Sequence, residues 1–191
     1  MSLAELSENF SLDGISKSPS IFDETKMKWL SGEYIKAMDF EEFKEKALPF
    51  LKDSKVYGKY DEDKLLSLVK GRVQIYSEIA EKLDFLEEFG AFDTAMFENQ
   101  KQKASAELAK QILPKIVEKL SAVEDWSNTN LFNALVELSA ELEVKKQAVL
   151  WIARIAITAK EATAGGATEI AELLGKQETL ARLNFAYDLV K

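Results

Sequence analysis

An all-α fold is what the sequence predicts, and three observations carry that reading. Apolar residues recur at three- and four-residue spacing along most of the chain, the period of one helix face. Only three prolines and eight glycines punctuate 191 residues, so long helical stretches are left uninterrupted. No segment of useful length alternates apolar and polar with the period of two that a half-buried strand needs. Internal repeats and low-complexity tracts are absent.

The elements follow in order. Asp23 is placed to cap a helix running through Trp29. Phe40, Phe43, Ala47 and Phe50 form an apolar stripe that ends near the Lys52–Tyr60 loop. Asp61 or Asp63 caps a short helix carrying Leu65, Leu66, Leu68 and Val69, and Gly71 separates it from a longer one with Val73, Tyr76, Ile79, Ala80, Leu83 and Leu86. Gly90 and Asp93 interrupt the pattern, which places a boundary between two helical subdomains, residues 1–88 and 89–191. Leu108, Ile112, Ile116 and Leu120 are spaced by four, with Pro114 expected to kink or divide their helix. The "WSNTN" segment offers caps for a helix with Leu131, Leu135, Leu138 and Leu142. Val144 to Ile157 is the next helix. Thr168 is expected to cap a short one, and Gly175 to separate it from the last, with Leu180, Leu183, Tyr187 and Val190.

Composition removes several classes of function. There is no cysteine, so disulfides, thiolate metal sites and cysteine nucleophiles are excluded. There is no histidine, which removes the commonest general base and metal ligand. The phosphate-loop pattern GxxxxGK[ST] and the dinucleotide pattern GxGxxG are both absent. No apolar run approaches the roughly 20 residues that span a bilayer, and the N-terminal MSLAELSENF has no basic residue, unlike a secretory signal. These features fit a cytoplasmic protein without a membrane partner. A net charge of −8 repels polyanions at long range, so any nucleic-acid contact must be local, and DNA is not an expected partner. Adjacent carboxylates such as Glu41/Glu42 and Glu87/Glu88 point to different sides of a helix and read as solvated surface. Physical reading alone therefore reaches a helical binding module.

Three segments add more. "ISKSPSIFDETKMKWLSGEYI" (Ile15–Ile35), "LVKGRVQIYSEIAE" (Leu68–Glu81) and "RIAITAKEATAGGATEIAELLGKQETLARL" (Arg154–Leu183) resemble bacterial glutamyl-tRNA synthetase, in that family's order and spacing. The match begins at the entrance to the family's anticodon-binding half and runs nearly to its C-terminus. Ile15–Ser18 approximates the KMSKS-type loop of class I synthetases. In that family the KMSKS-type loop belongs to the catalytic half, well before the segment matched here, and the HIGH signature has no histidine to supply it, so Ile15–Ser18 reads as a junction with a preceding domain. The resemblance thus implies a two-part helical anticodon-binding region of a glutamate–tRNA ligase whose active site lies outside this chain. ATP, Mg²⁺ and glutamate are expected only in that catalytic half, and no cofactor in this one. The implied partners are the anticodon loop of tRNA-Glu and the catalytic domain of the same enzyme.

The resemblance also selects residues. Arg72 falls where discriminating family members read the third anticodon base, and Arg154 on a second family arginine near the anticodon. A guanidinium is a rigid, permanently charged fork of donors. It suits cytosine, whose pairing edge offers two neighbouring acceptors, over guanine, which presents N–H donors; tRNA-Glu and tRNA-Gln differ in this base. Thr163, Ala164 and Gly165 match a family loop whose backbone and small side chains approach the bases. Lys176 and Arg182 fall on general positions of the last segment. The departures are Ala164 for the family's loop proline, Ala159 for a glycine, and Val136 for a further arginine. With so few charged groups, a helical protein–protein interaction module without RNA binding is the alternative.

Overall fold

The computed structural model describes residues 3–15, 21–87 and 89–191; Met1, Ser2, the Ser16–Ser18 part of the KMSKS-like segment, and Glu88 at the expected boundary lie outside the described residues. Among the described residues there are nine α-helices and no strand, apart from an isolated antiparallel bridge between Asn99 and Ala104. The all-α expectation is met. The helices are α1 (Leu3–Asn9), α2 (Glu24–Ala37), α3 (Phe40–Lys52), α4 (Glu62–Lys70), α5 (Ile79–Leu83), α6 (Ala106–Ser121), α7 (Asn128–Glu141), α8 (Lys146–Thr158) and α9 (Ala167–Val190).

Local chemistry sets most of these boundaries. Asp23 caps α2 by accepting from Lys26 N–H at 3.0 Å, Asp61 caps α4 through Lys64 N–H at 2.8 Å, and Ser105 caps α6 through Leu108 N–H at 3.1 Å. Pro114 does not divide α6, which runs unbroken from Ala106 to Ser121. The carbonyl it deprives of a partner belongs to Lys110, an exposed residue. Ser127 holds the cap position of α7 without a side-chain bond to that helix.

The expected long helix over Val73–Leu86 is the clearest departure. Ile75 is extended at φ −139° and ψ 150°, and Gln74 N–H is bonded to the Glu78 carboxylate at 2.9 Å. That side chain takes over the first turn, leaving a 3-10 turn at Tyr76–Glu78, the short α5, and another turn at Asp84–Leu86. The apolar residues still point inward: Val73, Ile79, Leu83, Phe85 and Leu86 are all buried.

The start of α9 is also corrected. Gly166, not Thr168, is its N-cap residue. The Thr168 hydroxyl instead donates to Asn128 Oδ1 on α7 at 2.6 Å. Gly175 does break the last helix, with φ 79° and ψ 167°. The break frees the Ala171 carbonyl, which accepts from the Trp126 indole at 2.8 Å and the Thr179 hydroxyl at 3.2 Å.

Helices α3, α4 and α5 pack on one another, and α6 to α9 form a second packed group. One contiguous core runs through both, from Ile35 to Ala186. Polar ties cross between the groups. Buried Arg182 on α9 donates to the carbonyls of Phe85 at 3.2 Å and Ile157 at 3.0 Å, and its guanidinium lies 5.2 Å from the Phe89 ring centre. Lys64 meets Glu172 at 3.1 Å, and Lys160 grips the Asp84 carboxylate at 2.6 Å.

Candidate nucleic-acid interface

The residues singled out in sequence converge where α4, the end of α8 and the start of α9 meet. Arg72 follows the C-terminus of α4. Its Nη1 donates to Leu68 O at 2.7 Å, which folds the side chain back over the helix end, and its Nη2 reaches Glu169 Oε2 at 3.5 Å. Arg154 lies on α8, one turn before that helix ends, and its Nε is buried without a hydrogen-bond partner. Burial pulls this guanidinium below its ordinary basicity, the Arg72 charge pulls it further down, and Glu169 opposes both.

The Thr163–Gly166 loop is locked from within. The Thr163 hydroxyl donates to Gly165 O at 2.7 Å, and Gly166 N–H donates to Glu169 Oε2 at 2.7 Å. Ala164 and Gly165 are buried. A Cβ on Gly165 would stand 2.5 Å from Leu68 Cδ1 and 3.1 Å from Ile170 Cγ1, so glycine is what lets the loop lie against α4. The loop entrance is held by Thr158, whose hydroxyl donates to Arg154 O at 2.7 Å and accepts from Lys160 N–H at 3.2 Å.

Two grooves flank this loop. One, of about 390 Å³, is lined by Arg72, Thr163 and Ala164 together with Lys82, Lys160 and Asp84. The other, of about 380 Å³, is lined by Arg154, Gly166 and Glu169 together with Asn128 and the half-exposed Phe132. The structure therefore gathers Arg72, Thr163 and Ala164 in one groove and sets Arg154 in its neighbour. Glu169 touches both groups; it was not a candidate in sequence, although a glutamate three residues into a helix after its cap is the capping-box signature. Lys176 lies elsewhere, donating to Val123 O at 2.9 Å beside Trp126. No group of three or more histidine, cysteine or carboxylate side chains able to hold a metal occurs among the described residues. No helix among them is long and apolar enough to cross a membrane.

Nine helices among the described residues, in two packed groups with Arg72 and Arg154 on either side of a glycine-tight loop, define an all-α domain class. Residues 42–187 match the family described as anticodon binding domain, and the chain belongs to that family. It is similar to the glutamate–tRNA ligase of Clostridium botulinum strain Hall, at 38% identity over 190 residues covering 100% of this chain and 39% of that protein. The glutamate–tRNA ligase of Clostridium kluyveri is 41% identical, with 99% of this chain and 39% of that protein covered. The chain thus spans about 39% of the length of these curated relatives. A crystal structure of a glutamate tRNA ligase from Elizabethkingia meningosepticum, in complex with its amino acid, superposes with a TM-score of 0.72 at 19% identity, covering 100% of this chain and 37% of that one. At that identity the likeness establishes the fold. The resemblance read from the three sequence segments is borne out.

Proposed function

We propose that this chain is the anticodon-reading region of a glutamate–tRNA ligase acting in cytoplasmic protein synthesis. It holds the anticodon loop of tRNA-Glu while a catalytic domain elsewhere in the enzyme performs the ligation. The observation that carries this reading is the convergence of Arg72, Arg154 and the Thr163 loop, because two of the chain's three arginines meet around one pair of grooves. Unstacked bases of an RNA loop are read by hydrogen bonds to their edges and by stacking. Arg72 supplies donors to the third anticodon base, Arg154 to a neighbouring base, and the backbone of Thr163, Ala164 and Gly165 forms the wall between them. The division into residues 1–88 and 89–191 belongs to the same proposal, with the site at the seam. Along α2 and its approach, Phe22, Met27, Trp29 and Leu30 are exposed, and this apolar strip is the proposed seat of the catalytic domain. ATP, Mg²⁺ and glutamate are handled there.

The test is binding of this chain to a labelled RNA stem-loop carrying the tRNA-Glu anticodon loop, against the same stem closed by an unrelated loop. Loop-dependent binding is expected. Indifference to the loop, or no binding of either RNA, removes the anticodon reading and leaves the protein–protein interaction module.

A further inference from the structure

Glu169 stands at the third position of α9 with its Oε2 in two roles at once. It accepts Gly166 N–H at 2.7 Å, closing the first turn of the helix, and it faces Arg72 Nη2 at 3.5 Å. It also lines the groove that holds Arg154. The pair is open to a ligand, since the Arg72 side chain is 42% exposed and that of Glu169 41%.

A capping role needs only an oxygen acceptor, which glutamine supplies as well as glutamate. The charge is favoured by the positive end of the helix, and it also answers the Arg72 guanidinium beside it. Arg72 and Arg154 line neighbouring grooves on the two sides of the Thr163–Gly166 loop, and two cations so placed attract any mobile anion. We infer that Glu169 is a built-in counter-ion, whose carboxylate fills the anion position beside Arg72 and Arg154 and so excludes free phosphate and bare phosphodiester groups from the site. A ligand then displaces or shares this carboxylate only if it offers more than charge, such as the acceptors of a base edge. The basicity of Arg154 is lowered first by burial and then by the Arg72 charge, and Glu169 opposes both. The exclusion of anions rests on the geometry alone, while its use in selecting bases rests on the anticodon reading.

The experiment exploits the arginine count. Three arginines give three side-chain Nε–H signals in a nitrogen–proton correlation spectrum. Inorganic phosphate is titrated into the wild-type chain and into Glu169→Gln, which keeps the acceptor for Gly166 N–H. The Arg72 and Arg154 signals are expected to move saturably in the variant, at phosphate concentrations that leave the wild type unchanged. Arg182, sealed on the Phe85 and Ile157 carbonyls, is the unmoved control. Glu169→Asp restores wild-type behaviour, and Glu169→Ala takes up phosphate as the glutamine variant does. On RNA, Glu169→Gln binds the tRNA-Glu stem-loop about three- to fivefold tighter at low salt, the scale of one unit charge nearby at a surface. Arginine signals as insensitive to phosphate in both charge-free variants as in the wild type overturn the inference, as does equal uptake by all of them. Phosphate uptake confined to the charge-free variants, with neither wild type nor variant binding the stem-loop, upholds the inference and overturns the anticodon reading.

Discussion

Ala159 closes α8 at φ 53° and ψ 30°, the left-handed conformation that glycine adopts without strain. Its N–H bonds back to Ile155 O at 2.9 Å, so the geometry is imposed by the helix end and not by the residue type. A Cβ held there costs about 1–2 kcal/mol, part of which glycine returns as chain entropy and lost burial. Ala159→Gly is therefore expected to raise stability by about 1 kcal/mol in chemical denaturation; a variant less stable than the parent contradicts this. Arg72 makes a second prediction at the same scale. Its fork is pre-aimed by Leu68 O and Glu169, and Arg72→Gln removes the charge with little change to the exposed surroundings. The variant should lose about 1–3 kcal/mol of its preference for cytosine at the third anticodon position, the scale of a bidentate base contact. Stem-loop titrations with C and G forms read this loss, and an undiminished preference removes Arg72 as the selector.

At the scale of elements, the loop and α4 behave as one unit through Gly165. Gly165→Ala pushes a methyl group to within 2.5 Å of Leu68 Cδ1, and overpacking of this kind costs about 1–3 kcal/mol. In a Leu68→Ala background the same change should cost much less, because the colliding atom is gone; equal costs in the two backgrounds would show that the loop does not lean on α4. Much of this architecture was legible in the sequence. Asp23 and Asp61 announce their helices because capping is local chemistry, and Gly175 announces its break because no other residue takes φ 79° so freely. The unbroken helix expected over Val73–Leu86 is absent although the apolar period survives in the interrupted form, with Val73, Ile79, Leu83 and Leu86 all buried. What decided it was one side-chain bond, from Gln74 N–H to Glu78, which periodicity does not register. The candidate residues came from family likeness, and Glu169 escaped because its place against Arg72 and in the groove of Arg154 is a tertiary fact.

Over the whole molecule, charge sets the terms of any encounter with RNA. The net charge of −8 repels the phosphate backbone, and two of the four positive groups of the grooves are answered, Lys160 by Asp84 and Arg72 by Glu169. Binding should thus involve only about two or three phosphates, giving a log–log salt slope near −2 for a single-stranded loop. A much steeper slope would reveal phosphate contacts well beyond the two grooves. The central claim is anticodon reading by this chain, and it is tested most directly by fluorescence anisotropy at low salt with two stem-loops differing only in C or G at the third anticodon position. Tighter binding of the C form is the predicted result. Equal affinity for the two forms would discard Arg72 as the reader of that base, and binding of neither would contradict the claim.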